Sequence, residues 1–301
     1  MSRVLISGAC GLIGSELSAA FDAQGVQVVR LVRGHSRSAA EIAWDPMAKE
    51  PGAGLPASMA SGFDAVVHLA GESIVGRWTE AKMRAIRESR VHGTRNLATG
   101  LAWTESKPKV FVCGSAVGFY GDRGEEVLTE QSSSGGGFLA EVCHEWEEAS
   151  RIAADAGIRT VNLRTGLVLS AKGGALGKML MPFKLGLGGR IGSGKQWWSW
   201  IHINDMVGGI LHAISTETVT GPVNMVAPVA VRNAEFTKAL ASVLGRPAIF
   251  PVPGFALGIA FEKMAADELF LASQHVTPEK LTASGYRFQF GELRAALENL
   301  V

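Results

Sequence analysis

The chain has 301 residues, 47% of them hydrophobic, which is enough to build one large core or two coupled ones. Charged residues make up 19% and the formal net charge is +1, so neither nucleic acid nor an anionic membrane is expected as the main partner. The three cysteines, Cys10, Cys113 and Cys143, are far apart and include no C-x-x-C pair, which argues against a disulfide framework or a zinc site and for a reducing, cytoplasmic setting.

The elements are read in chain order. Arg3 to Ser7 is a short buried strand, not the start of a signal peptide. Gly8 to Gly14 is a glycine turn, Ser15 to Gln24 a helix stopped by Gly25, and Val26 to Val32 a second strand rich in β-branched residues. Gly34 to Gly62 reads as loop, with Pro46, Pro51 and Pro56, and Ile42-Ala43-Trp44 as a possible short strand inside it. Ala65 to Leu69 is the next strand, followed by a charged helix from about Thr79 to Ala102. Lys109 to Cys113 is a strand ending at Gly114-Ser115, and a polar loop runs from Asp122 to Gly137. Glu141 to Ala156 is a helix ended by Gly157, and Thr160 to Leu163 opens a further strand.

The alternation predicts an α/β fold with a doubly wound parallel sheet. Residues 1–166 are expected to form a dinucleotide-binding Rossmann domain, with a later strand at Val223-Asn224-Met225 returning to its sheet. Residues 167–301 are expected to form a smaller, mainly substrate-binding C-terminal lobe. Within it, Asp205 to Ile214 reads as a helix capped by Asn204, and residues 233–244 as another. The apolar stretch Phe255 to Phe261 is far too short to span a bilayer.

The motif GACGLIG places glycines at 8, 11 and 14 between a strand and a helix. Gly8 permits the tight turn, Gly11 lets backbone approach a pyrophosphate, and Gly14 lets helix and strand pack closely. The pyrophosphate is expected on the N–H groups that open the helix, and Leu12 and Ile13, between the glycines, are expected to bind the cofactor. Past the second strand the chain reads Arg33-Gly34-His35-Ser36-Arg37, without the acidic residue that holds ribose hydroxyls in NAD sites. Arg33, helped by Ser36 or Arg37, is instead suited to a 2′-phosphate, so NADP(H) is expected in preference to NAD(H). A solvated loop arginine is the alternative reading.

With GACGLIG, HLAGE at 68–72, GSAVGFYGD at 114–122, LRTGLVLS at 163–170 and WIHINDM at 200–206, the chain resembles the extended short-chain dehydrogenase/reductase superfamily. It looks most like an atypical NAD(P)-dependent epimerase/dehydratase branch, labelled nucleoside-diphosphate-sugar-epimerase-like or cell-division-inhibitor-like. The resemblance implies a Rossmann domain with a C-terminal substrate lobe. It implies that Leu69, Ala70 and Gly71 line the cofactor, that Ser115 lies beside the nicotinamide, and that Arg90 stands where relatives often carry an asparagine near the cofactor.

Active members of that superfamily use a Ser or Thr with a Tyr-x-x-x-Lys pair, whose lysine lowers the tyrosine pKa. Alignment of the motifs sets Leu139 at the tyrosine position, Cys143 at the lysine position and Ala116 at the Ser/Thr position. Ser115 and Tyr120 remain as candidate catalytic hydroxyls, Ser115 to polarise a carbonyl and Tyr120 as an acid; bonding the cofactor and packing at the sheet end are the alternatives. Cys143 with His144 is a further acid/base candidate, against one buried and one exposed helix residue. Glu72 could face the cleft or be solvated. Lys172, Lys178, Lys184, Arg190 and Lys195 could meet a diphosphate and Trp197 or Trp198 a sugar or base, or this segment could be a solvated loop with core tryptophans. Two functions stay open: an NADP(H)-dependent oxidoreductase or epimerase on a small substrate, with sugar nucleotides among the candidates, and a non-catalytic NADP(H)-binding redox sensor or regulatory protein. A monomer and a homodimer are equally compatible with the sequence.

Overall fold

Runs of Val, Ile and Leu form one central parallel sheet in the computed structural model, which describes residues 1–50 and 52–301; Pro51 lies outside the described residues. The first half contains β1 (Arg3–Ser7), α1 (Leu12–Ala23), β2 (Gln27–Arg33), β3 (Glu41–Trp44), α2 (Ala57–Ala60) and β4 (Ala65–His68). There follow α3 (Glu80–Trp103), β5 (Val110–Ala116), a 3₁₀ turn (Val117–Tyr120), β6 (Val127–Leu128), α4 (Phe138–Asp155) and β7 (Arg159–Thr165). The chain continues through β8 (Leu167–Leu169), α5 (Gly174–Lys184), β9 (Trp197–Trp198), β10 (Trp200–His202), α6 (Ile203–Ser215), β11 (Gly221–Met225), β12 (Val231–Arg232) and α7 (Asn233–Leu244). It ends with α8 (Gly254–Phe261), α9 (Lys263–Ala266), a π-helical turn (Asp267–Leu271), β13 (His275–Val276), α10 (Glu279–Ala283) and α11 (Leu293–Leu300).

The seven-stranded sheet has the order β11-β7-β5-β4-β1-β2-β3, with every pairing parallel. Its central strands β1, β4, β5 and β7 are buried on both faces, as a sheet sandwiched between helices requires. Val4 and Ile6 pack on Leu17 and Phe21 of α1 and on Met206 and Ile210 of α6, while Leu5 between them faces Leu97 and Leu101 of α3. That two-residue alternation divides one apolar run between two cores. A separate core gathers α5, α7 and α11 around Phe183, Trp200, Phe236, Leu240 and Leu297.

Several boundaries differ from the sequence reading: α1 begins at Leu12 and not at Ser15, and three further differences bear on the site. β5 continues through Gly114 and Ser115 to Ala116, because these residues pair with Leu163, Arg164 and Thr165 of β7. α6 starts at Ile203 and its cap is His202, whose Nδ1 accepts from the Asn204 N–H, so Asn204 is not the cap. α4 starts at Phe138, three residues earlier than expected, because the carboxylate of Glu268 accepts from the N–H groups of Phe138 and Leu139.

Candidate functional site

The chain leaves β1 to build β2 and β3 on one side, then crosses back to β4 on the other, so the sheet changes direction between β1 and β4. A crevice opens at such a switch point, beyond the strand C-termini. Here it holds two adjoining cavities. The outer one, about 1200 Å³, is lined by Gly8, Gly11, Arg33, Leu69, Ala70 and Gly71 among others. The inner one, about 480 Å³, shares Gly8, Gly11 and Leu69 with it and reaches Leu12, Ile13, Gly14, Arg90 and Ser115.

The glycine turn is built by close approach. Gly8 adopts φ +73°, and a Cβ there would lie 2.7 Å from the carbonyl carbon of Leu69. A Cβ on Gly14 would lie 2.2 Å from the Gly8 oxygen, which ties α1 to the turn. Gly11 differs: its nearest obstacle is the Gly8 oxygen at 3.2 Å, so its other side is open to the cavities. No side chain caps α1, and its first turn carries no acid. These N–H groups, with the positive end of the helix dipole, suit an anion and fit the pyrophosphate of a dinucleotide.

Arg30 and Arg33 line the outer cavity, and neither has an ion-pair partner among the described residues. Ser36 and Arg37 lie exposed on the loop beyond it and are not part of its wall. Glu72 faces the same cavity, paired with Lys82 at 2.5 Å, and that ammonium holds its carboxyl below the usual range.

Arg90 extends from α3 under Gly71 into the inner cavity, its Nη1 donating to the carbonyls of Glu72 (2.9 Å) and Ile86 (3.1 Å). It lies over the Trp146 ring, 5.1 Å from the centroid. Burial pulls its pKa down, and the proximity of Cys143 and Glu72 works in the opposite direction.

Ser115 and Tyr120 have different fates. Ser115 lines the inner cavity, and its hydroxyl donates to Glu147 Oε1 at 2.7 Å. Glu147 also grips Arg164 in a two-pronged pair, Nε to Oε1 and Nη2 to Oε2, both 2.9 Å. Burial works against the Arg164 cation, but Glu147 outweighs it and the pKa ends raised. Arg164 Nη1 donates to the Tyr120 hydroxyl at 3.0 Å. That hydroxyl lies 2.7 Å from Asn224 Oδ1 and 2.9 Å from the Thr129 carbonyl, its two acceptors. Tyr120 is completely buried and lines neither cavity, and burial pushes its phenol pKa up. It is a structural member of a network, not an acid at the cleft. The sequence signal for Arg164 was present: an arginine inside an apolar strand needs a buried partner. Glu147, four residues after Cys143 and on the same helix face, was the natural one.

Leu139 and Cys143 both line the inner cavity, and burial lifts the Cys143 thiol to about 12. His144 points away from it, exposed and stacked on Phe119. Trp197 and Trp198 are on the wall, but Lys172, Lys178, Lys184, Arg190 and Lys195 are exposed and absent from it. Asp205 pins the C-terminal segment, accepting from the Tyr286 hydroxyl and the N–H groups of Gln289 and Phe290. Among the described residues no group of three potential metal ligands is found, and no helix is long and apolar enough to cross a membrane.

A seven-stranded parallel sheet with a glycine turn and an open crevice at its switch point makes this a Rossmann-type α/β fold. The chain belongs to the NAD-dependent epimerase/dehydratase family, whose model matches residues 4–226; a domain of unknown function, DUF1731, matches residues 252–300. The epimerase family protein Mb2239 of Mycobacterium bovis is 39% identical over 295 residues, covering 98% of this chain and 96% of its own. The human epimerase family protein SDR39U1 is 38% identical over 307 residues and 99% of each chain. The crystal structure of that human protein with NADPH superposes with a TM-score of 0.90 at 36% identity, covering 99% of this chain and 98% of that one.

Proposed function

We propose that the protein is an NADP(H)-dependent oxidoreductase, or an epimerase acting through transient oxidation, on a small-molecule substrate in the cytoplasm. In this reading residues 1–166, joined by β11, form the dinucleotide-binding domain, and residues 167–301 mainly bind substrate. The observation that carries it is an uncapped helix N-terminus at an open glycine, with two unpaired arginines on the wall of the same cavity. The NADPH held by the human relative supports the same cofactor here.

NADP(H), when bound, supplies or accepts a hydride. Gly8, Gly11 and Gly14 let the backbone approach its pyrophosphate, which the Leu12 and Ile13 N–H groups would hold. Arg33, with Arg30 beside it, takes the 2′-phosphate, and Leu69, Ala70 and Gly71 line the cofactor. Arg90 brings a cation near Cys143, the position at which active relatives carry the lysine of the Tyr-x-x-x-Lys pair. Ser115 is held in place by Glu147 and can accept from a substrate alcohol, or turn its proton from Glu147 to a carbonyl.

The test is cofactor preference. A charge-assisted contact to phosphate is worth about 1.5–3 kcal/mol. Arg33→Ala should therefore weaken NADPH roughly 10- to 150-fold by calorimetry and leave NADH nearly unchanged. Equal affinity of the unmodified protein for the two cofactors overturns the assignment.

A further inference from the structure

We infer that the inner cavity takes an uncharged, largely apolar carbonyl or alcohol compound and not a nucleotide-activated sugar or other phosphate ester. The inference rests on the oxidoreductase reading above and names its substrate class.

The wall beyond the cofactor turn is formed by Leu139, Val142, Val168, Met179, Trp198 and Phe270 together with other apolar groups. Arg90 and Glu268 are the charged side chains that reach it. Arg90 sits at the cofactor end, where a Cβ on Gly71 would lie 3.3 Å from its Cζ, and one of its nitrogens is already committed to two carbonyls. Glu268 is an anion, and both of its oxygens are bound by the first N–H groups of α4, at 2.8 and 2.7 Å. The helix terminus facing the substrate space is thus already satisfied by the protein's own carboxylate, which repels a second anion.

The hydroxyls and amide on this wall are turned inward too. Ser199 Oγ donates to the Gln274 carbonyl, Thr165 Oγ1 to the Leu163 carbonyl, and Gln274 Nε2 to the Gly121 carbonyl. The basic residues of the 167–200 segment stay off this wall: Lys172 pairs with Glu16, Arg190 donates to the carbonyls of Gly192 and Ser193, and Lys178, Lys184 and Lys195 are exposed. A diphosphate entering here would give up its hydration and find no cation beyond the one at the cofactor end. An apolar molecule would lose nothing. The apolar surface also continues outward: Phe270 packs on Phe261 of α8 at 5.1 Å between centroids, and α8 exposes Phe255 and Ile259.

In the reductive direction the carbonyl carbon gains a hydride and its oxygen a proton drawn from water, giving the alcohol while NADPH becomes NADP⁺. The test compares 2-decanone with UDP-glucose as probes on the full-length protein, by calorimetry and by quenching of tryptophan fluorescence, with and without saturating NADPH. 2-Decanone should bind saturably and UDP-glucose at least about tenfold more weakly. Met179→Lys, which sets a cation among the apolar groups of the wall, should weaken 2-decanone about tenfold while NADPH affinity is retained, and Met179→Leu should keep ketone binding. Tighter binding of UDP-glucose, no saturable binding of 2-decanone, or ketone binding indifferent to Met179→Lys overturns the inference. Failure of NADPH to bind would instead bring down the underlying oxidoreductase reading, and the response of ketone binding to Met179→Lys without cofactor would still judge the apolar wall.

Discussion

His68 ends β4 with no water contact, 2.5 Å from the Ser7 hydroxyl at its Nδ1 and packed edge-on to Trp44. Burial, aided by the Arg90 cation, holds its pKa down to about 3, against 6.5 for a free imidazole. The folded state therefore keeps it neutral while the unfolded chain takes up a proton. Its contribution to stability is fully present above pH 6.5 and is lost as pH falls from there toward 3. The slope in that window is about 1.4 kcal/mol per pH unit for one proton. Unfolding in urea at pH 7 and at pH 5 should show that loss, and His68→Leu should remove most of the pH dependence. A variant with an unchanged slope would mean that other groups carry it.

Other residues were readable one by one for the same local reason. Gly8 and Gly14 announced themselves because their spacing between a strand and a helix leaves no room for side chains, and both sit where a Cβ would meet backbone. Tyr120 was misplaced because a residue's position after a strand does not say whether its hydroxyl faces a cleft or an interior network. The outcome depended on Arg164 and Asn224, which arrive from β7 and β11.

Among the elements, α4 shows the limit of local reading. Its periodic apolar face, with Val142, Trp146, Ala149 and Ala153 buried, made the helix legible. Its start was not, because no Ser, Thr, Asp or Asn precedes it as a cap: Gly137 does. The cap comes from Glu268, 130 residues further along from Phe138. Glu268→Ala should leave two N–H groups unpaired and cost about 0.5–2 kcal/mol, read as a lower midpoint in urea with an unchanged slope. Glu268→Gln should recover part of that loss. An unchanged midpoint for the alanine variant would show that water replaces the carboxylate without cost. The same element carries Leu139 and Cys143 to the inner cavity and Glu147 to Ser115, so its first turn sets the geometry of one whole wall.

At the scale of the molecule, the inner cavity is lined from both sides of the boundary proposed at residue 166, by Ser115 and Cys143 on one side and Val168, Trp198 and Phe270 on the other. A ligand reaching from the glycine turn into that cavity couples the two parts. NADPH at about 100 times its dissociation constant should stabilise the folded state by roughly 2.7 kcal/mol, and the molecule should still unfold in one transition. Two separate transitions, of which NADPH moves one, would show that the ligand holds the first part alone.

The helix-strand rhythm and the glycine turn were legible in the sequence itself, because apolar periodicity, turn glycines and β-branched runs are patterns within a few residues; the parallel sheet followed from that rhythm, since strands alternating with helices can pair only by crossover. Arg33 at the end of its strand was legible for the same reason. Tertiary structure alone decided which polar groups face the crevice. Only the assembled sheet brings Arg164 and Glu147 to Ser115, closes Tyr120 into the interior, sends the lysines of the 167–200 segment to the surface and lays Glu268 across the start of α4. A charged or hydroxylated side chain is directed by its partner, and here the partners come from segments tens to more than a hundred residues away.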